Sequence, residues 1–308
     1  MRCRHVLNIQ STDERQKVEN GMTIVCVGLM LMLLAFSDAA MASALTAARC
    51  FASGVMPALL PMMVVGKFLP NDTKPEHSHW RQWFWTVFYA FAAGSPAAAQ
   101  RAAGKRHAMN SRSWECLLCL TGVMSPMFFT GTLAGWLGSA RDGWLLLGIH
   151  WLGAAITAGF WRLGAKKVPA EPMNSEIKPQ NRITLPEAIA QSAHSLLCVC
   201  GAMMVFSIAA CLLKSLLTWM FPVWTAEHAH WLAAVWAVME IGGGSSAVIG
   251  TIERPHALLS ALCGFGGLSI WLQNMLFLGE SIRPAKLLAM RAVHGAVCYA
   301  LVKVIKPF

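Results

Sequence analysis

Residues 240–250 read EIGGGSSAVIG: a carboxylate, three consecutive glycines and two serines between strongly apolar stretches. Open backbone and polar side chains are costly inside a bilayer unless they face a cavity or a ligand. The segment therefore reads as a break between two half-helices that carries a binding site. Backbone N–H groups freed around Gly243, Gly244, Ser245 and Ser246 would carry the positive partial charge of a helix start, suited to a carboxylate or phosphate. Glu240 would end the preceding half-helix, where the dipole and the loss of water both disfavour a carboxylate, a setting that suits proton or cation coupling. The competing reading is an external-loop carboxylate beside a flexible turn.

A similar break lies earlier in the chain. An aromatic helix from Trp83 to Ala93 ends in Gly94-Ser95-Pro96, as a helix from Trp231 to Met239 leads into the glycine run. Each half then has an apolar helix interrupted by small residues, LTGVMSPMFFTGTLAGWLG from 120 and LCGFGGLSIWLQNMLFLG from 262. These place Ser125 and Gln273 near the breaks. Gln273 has a donor and an acceptor for either a ligand or an interhelical bond. Each half closes with a helix holding one interior histidine, His150 or His294. The two histidines join Glu240 as coupling candidates, although an intramembrane histidine more commonly bonds a backbone carbonyl. Most of the thirteen tryptophans read as interfacial anchors, while Trp83, Trp85, Trp231 and Trp236 flank the breaks and could stack on an aromatic solute.

The elements that must hold these groups are membrane helices. The 308-residue chain is 56% hydrophobic and only 13% charged, with a mean hydropathy of +0.50, against about 25% charge in soluble domains. Its continuous apolar runs fit a bundle of about seven to nine helical segments rather than a β-barrel. The net charge of +10 resides in loops between apolar segments, which points to the positive-inside rule and away from nucleic acid. Most of the ten cysteines lie in apolar runs without recurring spacing, so they read as buried thiols. The Cys116/Cys119 pair lacks a second ligand pair for zinc. No metal, cofactor, nucleotide-binding loop or nucleophile–base pairing is indicated, and the chain does not read as an enzyme.

Four regions follow. Residues 1–21 form a polar cytoplasmic tail, with Met22 as an alternative start; 22–163 form a first transmembrane half whose repeat begins at 54. The Pro-containing cytoplasmic linker 164–184 precedes a second half, 185–308. Expected segments are 22–37, 39–52, 54–69 (bent by Pro57 and Pro61), 114–137, 143–163, 185–217, 257–279 and 287–304. Arg101, Lys105, Arg106 and Arg112 in one loop, and Lys166, Lys167, Lys178 and Arg182 in another, place both inside, whereas 215–253 has no lysine or arginine. With Lys67, Lys74 and Arg81 also inside, segment 83–96 becomes a re-entrant hairpin. After three crossings the second half is inverted, so 231–250 dips in from outside. The fold expected is an all-α polytopic membrane protein, an inverted repeat with two re-entrant broken-helix hairpins.

The stretches GVMPALLPMM at 54, AAGSPAAAQ at 92, SPMFFTGTLAGW at 125, LLGIHWLG at 146, LPEAIAQSAHSLL at 185, MEIGGGSS at 239, GFGGLSIWLQ at 264 and RAVHGAV at 291 resemble the nucleoside-recognition (Gate) domain proteins, most closely the YlbJ-type sporulation integral membrane proteins. That resemblance implies a multi-pass bacterial cytoplasmic or forespore membrane protein associated with movement of dipicolinic acid during spore maturation. It departs from the family where a GYPxGAK-like hairpin becomes Gly94 to Gln100, where asparagines become Gly122 and Ser125, and in a short 69–82 loop.

The function expected is transport or facilitation of a small organic anion, with dipicolinic acid as the candidate. Gly94, Ser95, Pro96, Ser125, Glu240, Gly243, Gly244, Ser245, Ser246 and Gln273 would bind it. Alternatives are a nucleoside-type solute carrier and a non-transporting assembly protein of the sporulation or envelope machinery. The partners expected are the lipid bilayer and either further copies of the chain or sporulation membrane proteins.

Overall fold

Apolar composition without strand-like alternation leaves the helix as the only way to satisfy the backbone in lipid, and the described residues are helical with no strand among them. The computed structural model describes residues 12–69, 79–103, 105, 109–165, 183–279 and 282–308. Lys74, Arg106, Lys166, Lys167, Lys178, Arg182, residues 1–11 and most of the linker 164–184 lie outside them.

Helix α1 (Thr12–Ala35) begins ten residues before the expected start at 22, so 12–21 are helical. The run DERQKVE is made largely of good helix formers and has no proline to stop it. The apolar part of α1 exposes Ile24, Val25, Met30, Leu31 and Leu34 around its circumference, the mark of a lipid-facing helix.

Segments 39–52 and 54–69 are one helical run rather than two. Helix α2 (Ser37–Cys50) passes through a π-helical turn (Phe51–Val55) into α3 (Met56–Phe68). Pro57 at the start of α3 and Pro61 both lie inside this continuous run, where each removes an N–H from the helical ladder. A broken pair follows, α4 (His79–Ala93) and α5 (Ala97–Ala102). The expected 114–137 helix is also broken: α6 (Ser111–Leu120) stops, and the chain resumes through a π-helical turn (Phe128–Leu133) into α7 (Ala134–Leu137). Helix α8 (Ala140–Gly164) closes this half.

The second half repeats that order. The long α9 (Leu185–Met220) and the short α10 (Pro222–Glu227) lead to a broken pair, α11 (Ala229–Met239) and α12 (Ile241–Thr251). A second broken pair, α13 (His256–Phe265) and α14 (Gly267–Leu278), precedes α15 (Pro284–Ile305). Among the described residues, five helical runs are long and apolar enough to cross a membrane: Ser37–Phe68, Ala140–Gly164, Leu185–Met220, His256–Leu278 and Pro284–Ile305. The chain is a multi-pass helical membrane protein.

Close packing needs small residues, because lipid supplies no hydrophobic force between helices. Helices α11 and α12 fold back on each other where a Cβ at Gly244 would overlap the Ala237 backbone. Helices α13 and α15 meet at Gly264 and Gly295, where a Cβ added at Gly264 would lie 2.8 Å from the Gly295 Cα and one at Gly295 would lie 2.6 Å from Ala261 O.

Gly244→Leu should therefore lose at least about 1–3 kcal/mol to overpacking, lowering the thermal midpoint of the detergent-solubilised protein. Gly250, with open space around its Cα, should accept alanine without loss; equal behaviour of the two variants would contradict the α11–α12 approach.

Candidate functional site

The break between α11 and α12 is a single residue. The Glu240 N–H donates to Trp236 O (2.7 Å), ending α11, while its φ of −138° and ψ of 114° turn the side chain onto the start of α12. Oε1 accepts from Gly242 N–H (2.8 Å) and Oε2 from Gly243 N–H (2.7 Å). Gly244 N–H donates to the Glu240 carbonyl (3.2 Å).

This corrects two expectations. The carboxylate is held at the positive end of α12, not against the negative end of α11, so the dipole favours it. Of the N–H groups expected to bind an external anion, that of Gly243 is taken by Glu240 Oε2 and that of Gly244 by the Glu240 carbonyl. Gly243 instead accommodates Trp236, and Gly244 the α11 backbone. Ser245 is buried with no partner for its Oγ among the described residues, and Ser246 is exposed. Neither lines the cavity described below.

The first break docks into the second. Gly94 has a φ of +73°, in the left-handed region, and a Cβ there would run into the Ser125 backbone. Ser95 N–H donates to Val123 O (2.6 Å), and Ser95 Oγ to Asn274 Oδ1 (2.6 Å) on α14. The other half has a matching approach, with Gly267 at the α13–α14 break against Ala237 O and Ile241 N. In both halves, then, the tip of one broken pair sits in the interruption of the next. Gln100 Nε2 to Ser195 Oγ (2.8 Å), Arg101 Nη1 to Gly66 O (2.9 Å) and Tyr89 OH to Met62 O (2.9 Å) tie the first tip to α9 and α3.

These breaks surround one cavity. Its polar lining is Ser95, Ser125, Thr132, Glu240, Ser269 and Gln273, and its apolar lining includes Val55, Leu59, Met124, Phe128, Val199, Met203 and Ile270. No family model, curated protein or solved structure matches the chain. Chemistry must therefore be read from the lining, which contains no lysine or arginine among the described residues. It offers hydroxyls, an amide and one carboxylate, each of whose oxygens already accepts one N–H. Gln273 Nε2 donates to Ser269 Oγ (3.1 Å), leaving its carbonyl to accept. Trp83, Trp85, Trp231 and Trp236 do not line this cavity, and Phe128 is its one aromatic ring among the described residues.

His150 and His294 lie together elsewhere, their rings 4.7 Å apart and both fully buried. His150 Nε2 accepts from Met124 N–H (3.0 Å), satisfying a backbone group freed by the α6–α7 break. His294 Nε2 donates to His150 O (3.0 Å). The occupied Nε2 atoms give both rings structural partners. With Cys298 they form a cluster whose ligand atoms lie within 4.8 Å of one another. As a neutral ring accepting through Nε2, His150 carries its proton on Nδ1, so it has no lone pair left for a metal.

The residue that sequence reading missed is Arg291, 1% exposed, whose Nη2 donates to Cys119 O (2.5 Å) at the end of α6. Gly122 leaves the space its guanidinium fills. A lone arginine inside RAVHGAV was the available signal.

Glu240→Ala should leave two N–H groups of α12 uncapped and cost about 0.5–2 kcal/mol. His150→Phe should orphan Met124 N–H and cost about 1–3 kcal/mol. Thermal unfolding of each variant checks both, and an unchanged midpoint would remove the capping role assigned to that residue.

Proposed function

We propose that the protein is a secondary transporter or facilitator whose solute occupies the cavity between the four helix breaks. The observation that carries this reading is the convergence of Ser95 and Ser125 from the first half with Glu240 and Gln273 from the second on one cavity. Backbone interrupted at membrane depth is tolerated where it is buried or lines such a cavity. The matched order of long, broken, broken and long helices supports an inverted repeat, with α4–α5 and α11–α12 as re-entrant hairpins entering from opposite sides and the N-terminus inside.

The lining best fits a neutral polar solute of nucleoside type, whose N–H and O–H groups would be accepted by Glu240 and the Gln273 carbonyl. A cation-free pocket disfavours a free dianion. A small organic anion such as dipicolinate is the second reading, favoured by the YlbJ-type motifs, and it would enter with a proton on Glu240. An assembly role without transport predicts that mutations in the cavity are silent.

Uptake of labelled uridine and of dipicolinate into proteoliposomes separates these readings. Nucleoside uptake should appear, and Gln273→Leu should reduce its kcat/KM by about tenfold or more, the equivalent of one unmet hydrogen bond. Dipicolinate uptake driven by an inward proton gradient, and abolished in Glu240→Gln, would establish the second reading instead. Uptake of neither would leave the assembly role.

A further inference from the structure

A second, larger groove lies beside the hairpin α11–α12. One wall is α2 and α9, including Ser43, Thr46 and Lys214, and the other is α10 to α12, including Trp236 and Thr251. Lys214 is exposed and, among the described residues, is the one charged side chain in the lining. An ammonium group facing a hydrocarbon-filled groove would be costly, and the hydroxyls beside it favour water as the occupant.

The groove and the cavity are stacked along the same helices. Thr46 in the groove is one turn from Cys50 in the cavity, and Trp236 is one turn from Glu240; residues four apart share a helix face. Between them the Trp236 ring lies against Gly243, where an added Cβ would be 3.2 Å from the indole and 3.3 Å from Glu240 Oε2. On the other side of that carboxylate, Cys50 Sγ would be 3.6 Å from a Cβ at Gly242. The Trp236 Nε1–H is buried and has no partner among the described residues. The indole is thus fixed by contact with Gly243 rather than by a hydrogen bond, and its polar edge gains a partner if it swings toward water.

We propose that this groove is the aqueous vestibule of the solute cavity and that Trp236 is the gate between them, closed by packing on the Gly242–Gly243 cap of Glu240. The purpose of the gate rests on the transport reading; its geometry does not. The glycine run then has a second reason, since any side chain at 243 would hold the indole away.

Two native cysteines report on the two compartments, Cys211 in the groove and Cys50 in the cavity. The full-length protein in liposomes is treated with a charged, membrane-impermeant methanethiosulfonate applied to both faces, and each cysteine is followed by peptide mass spectrometry. Cys211, or a cysteine introduced as Thr46→Cys, should be modified, with Cys50 at least about tenfold slower; Trp236→Ala should raise the Cys50 rate about tenfold, equivalent to about 1.4 kcal/mol of lost closure. Trp236→Phe serves if the alanine variant does not fold. A groove whose probes both stay unmodified holds lipid and overturns the proposal. So does a Cys50 rate that matches the groove in the native protein or is unmoved by both Trp236 variants. Because no solute is involved, this pattern can hold while uptake fails, or fail while uptake holds.

Discussion

A backbone group that loses its helical partner inside a bilayer has no water to turn to, and the arrangement around every break follows from that. Three of the four interruptions have an internal partner among the described residues. Glu240 takes the first N–H groups of α12, and His150 takes that of Met124. Arg291 caps a terminal carbonyl of α6, and Ser95 N–H meets Val123 O. Each of these polar and charged side chains is bonded to backbone that would otherwise be orphaned, while Arg291 Nε and Nη1 are buried without a partner among the described residues.

The partners come from other helices, and that ties the breaks together in space. His150 reaches from α8 to the α6–α7 interruption, Arg291 from α15 to α6, and Asn274 from α14 to the first tip. Satisfying the breaks therefore brings the two halves into register and leaves a cavity where the tips meet. The same logic explains why the two histidines, matched in sequence position, play unlike roles: one accepts from a freed N–H, and the other donates to its neighbour's carbonyl.

It also decides what the cavity can hold. Each Glu240 oxygen accepts one N–H of the α12 cap, so the positive end of that helix already faces a carboxylate. What remains toward the cavity is a set of acceptors and small hydroxyls against apolar walls. The glycines that make the cap possible are also what allow Trp236 to lie over it, so capping and closure share one short segment.

Composition and apolar run length, read without coordinates, determine that this is a helical multi-pass membrane protein, because a polar backbone in lipid has so few solutions. The breaks at 94–96 and 240–244 were legible for the same reason: glycine, serine, proline and a carboxylate have no ordinary place in an apolar helix. The interruptions at 121–125 and Gly266 were visible only as small residues, and the 12–21 extension of α1 was hidden by its polarity. Which helix Glu240 caps was not legible at all. A residue joining two helices belongs to either, and only its φ and ψ, set by the packing of Gly244 on Ala237, turn the carboxylate toward α12. Arg291, Asn274 and the meeting of His150 with His294 were likewise decided by tertiary structure, since their partners lie more than a hundred residues away in the chain.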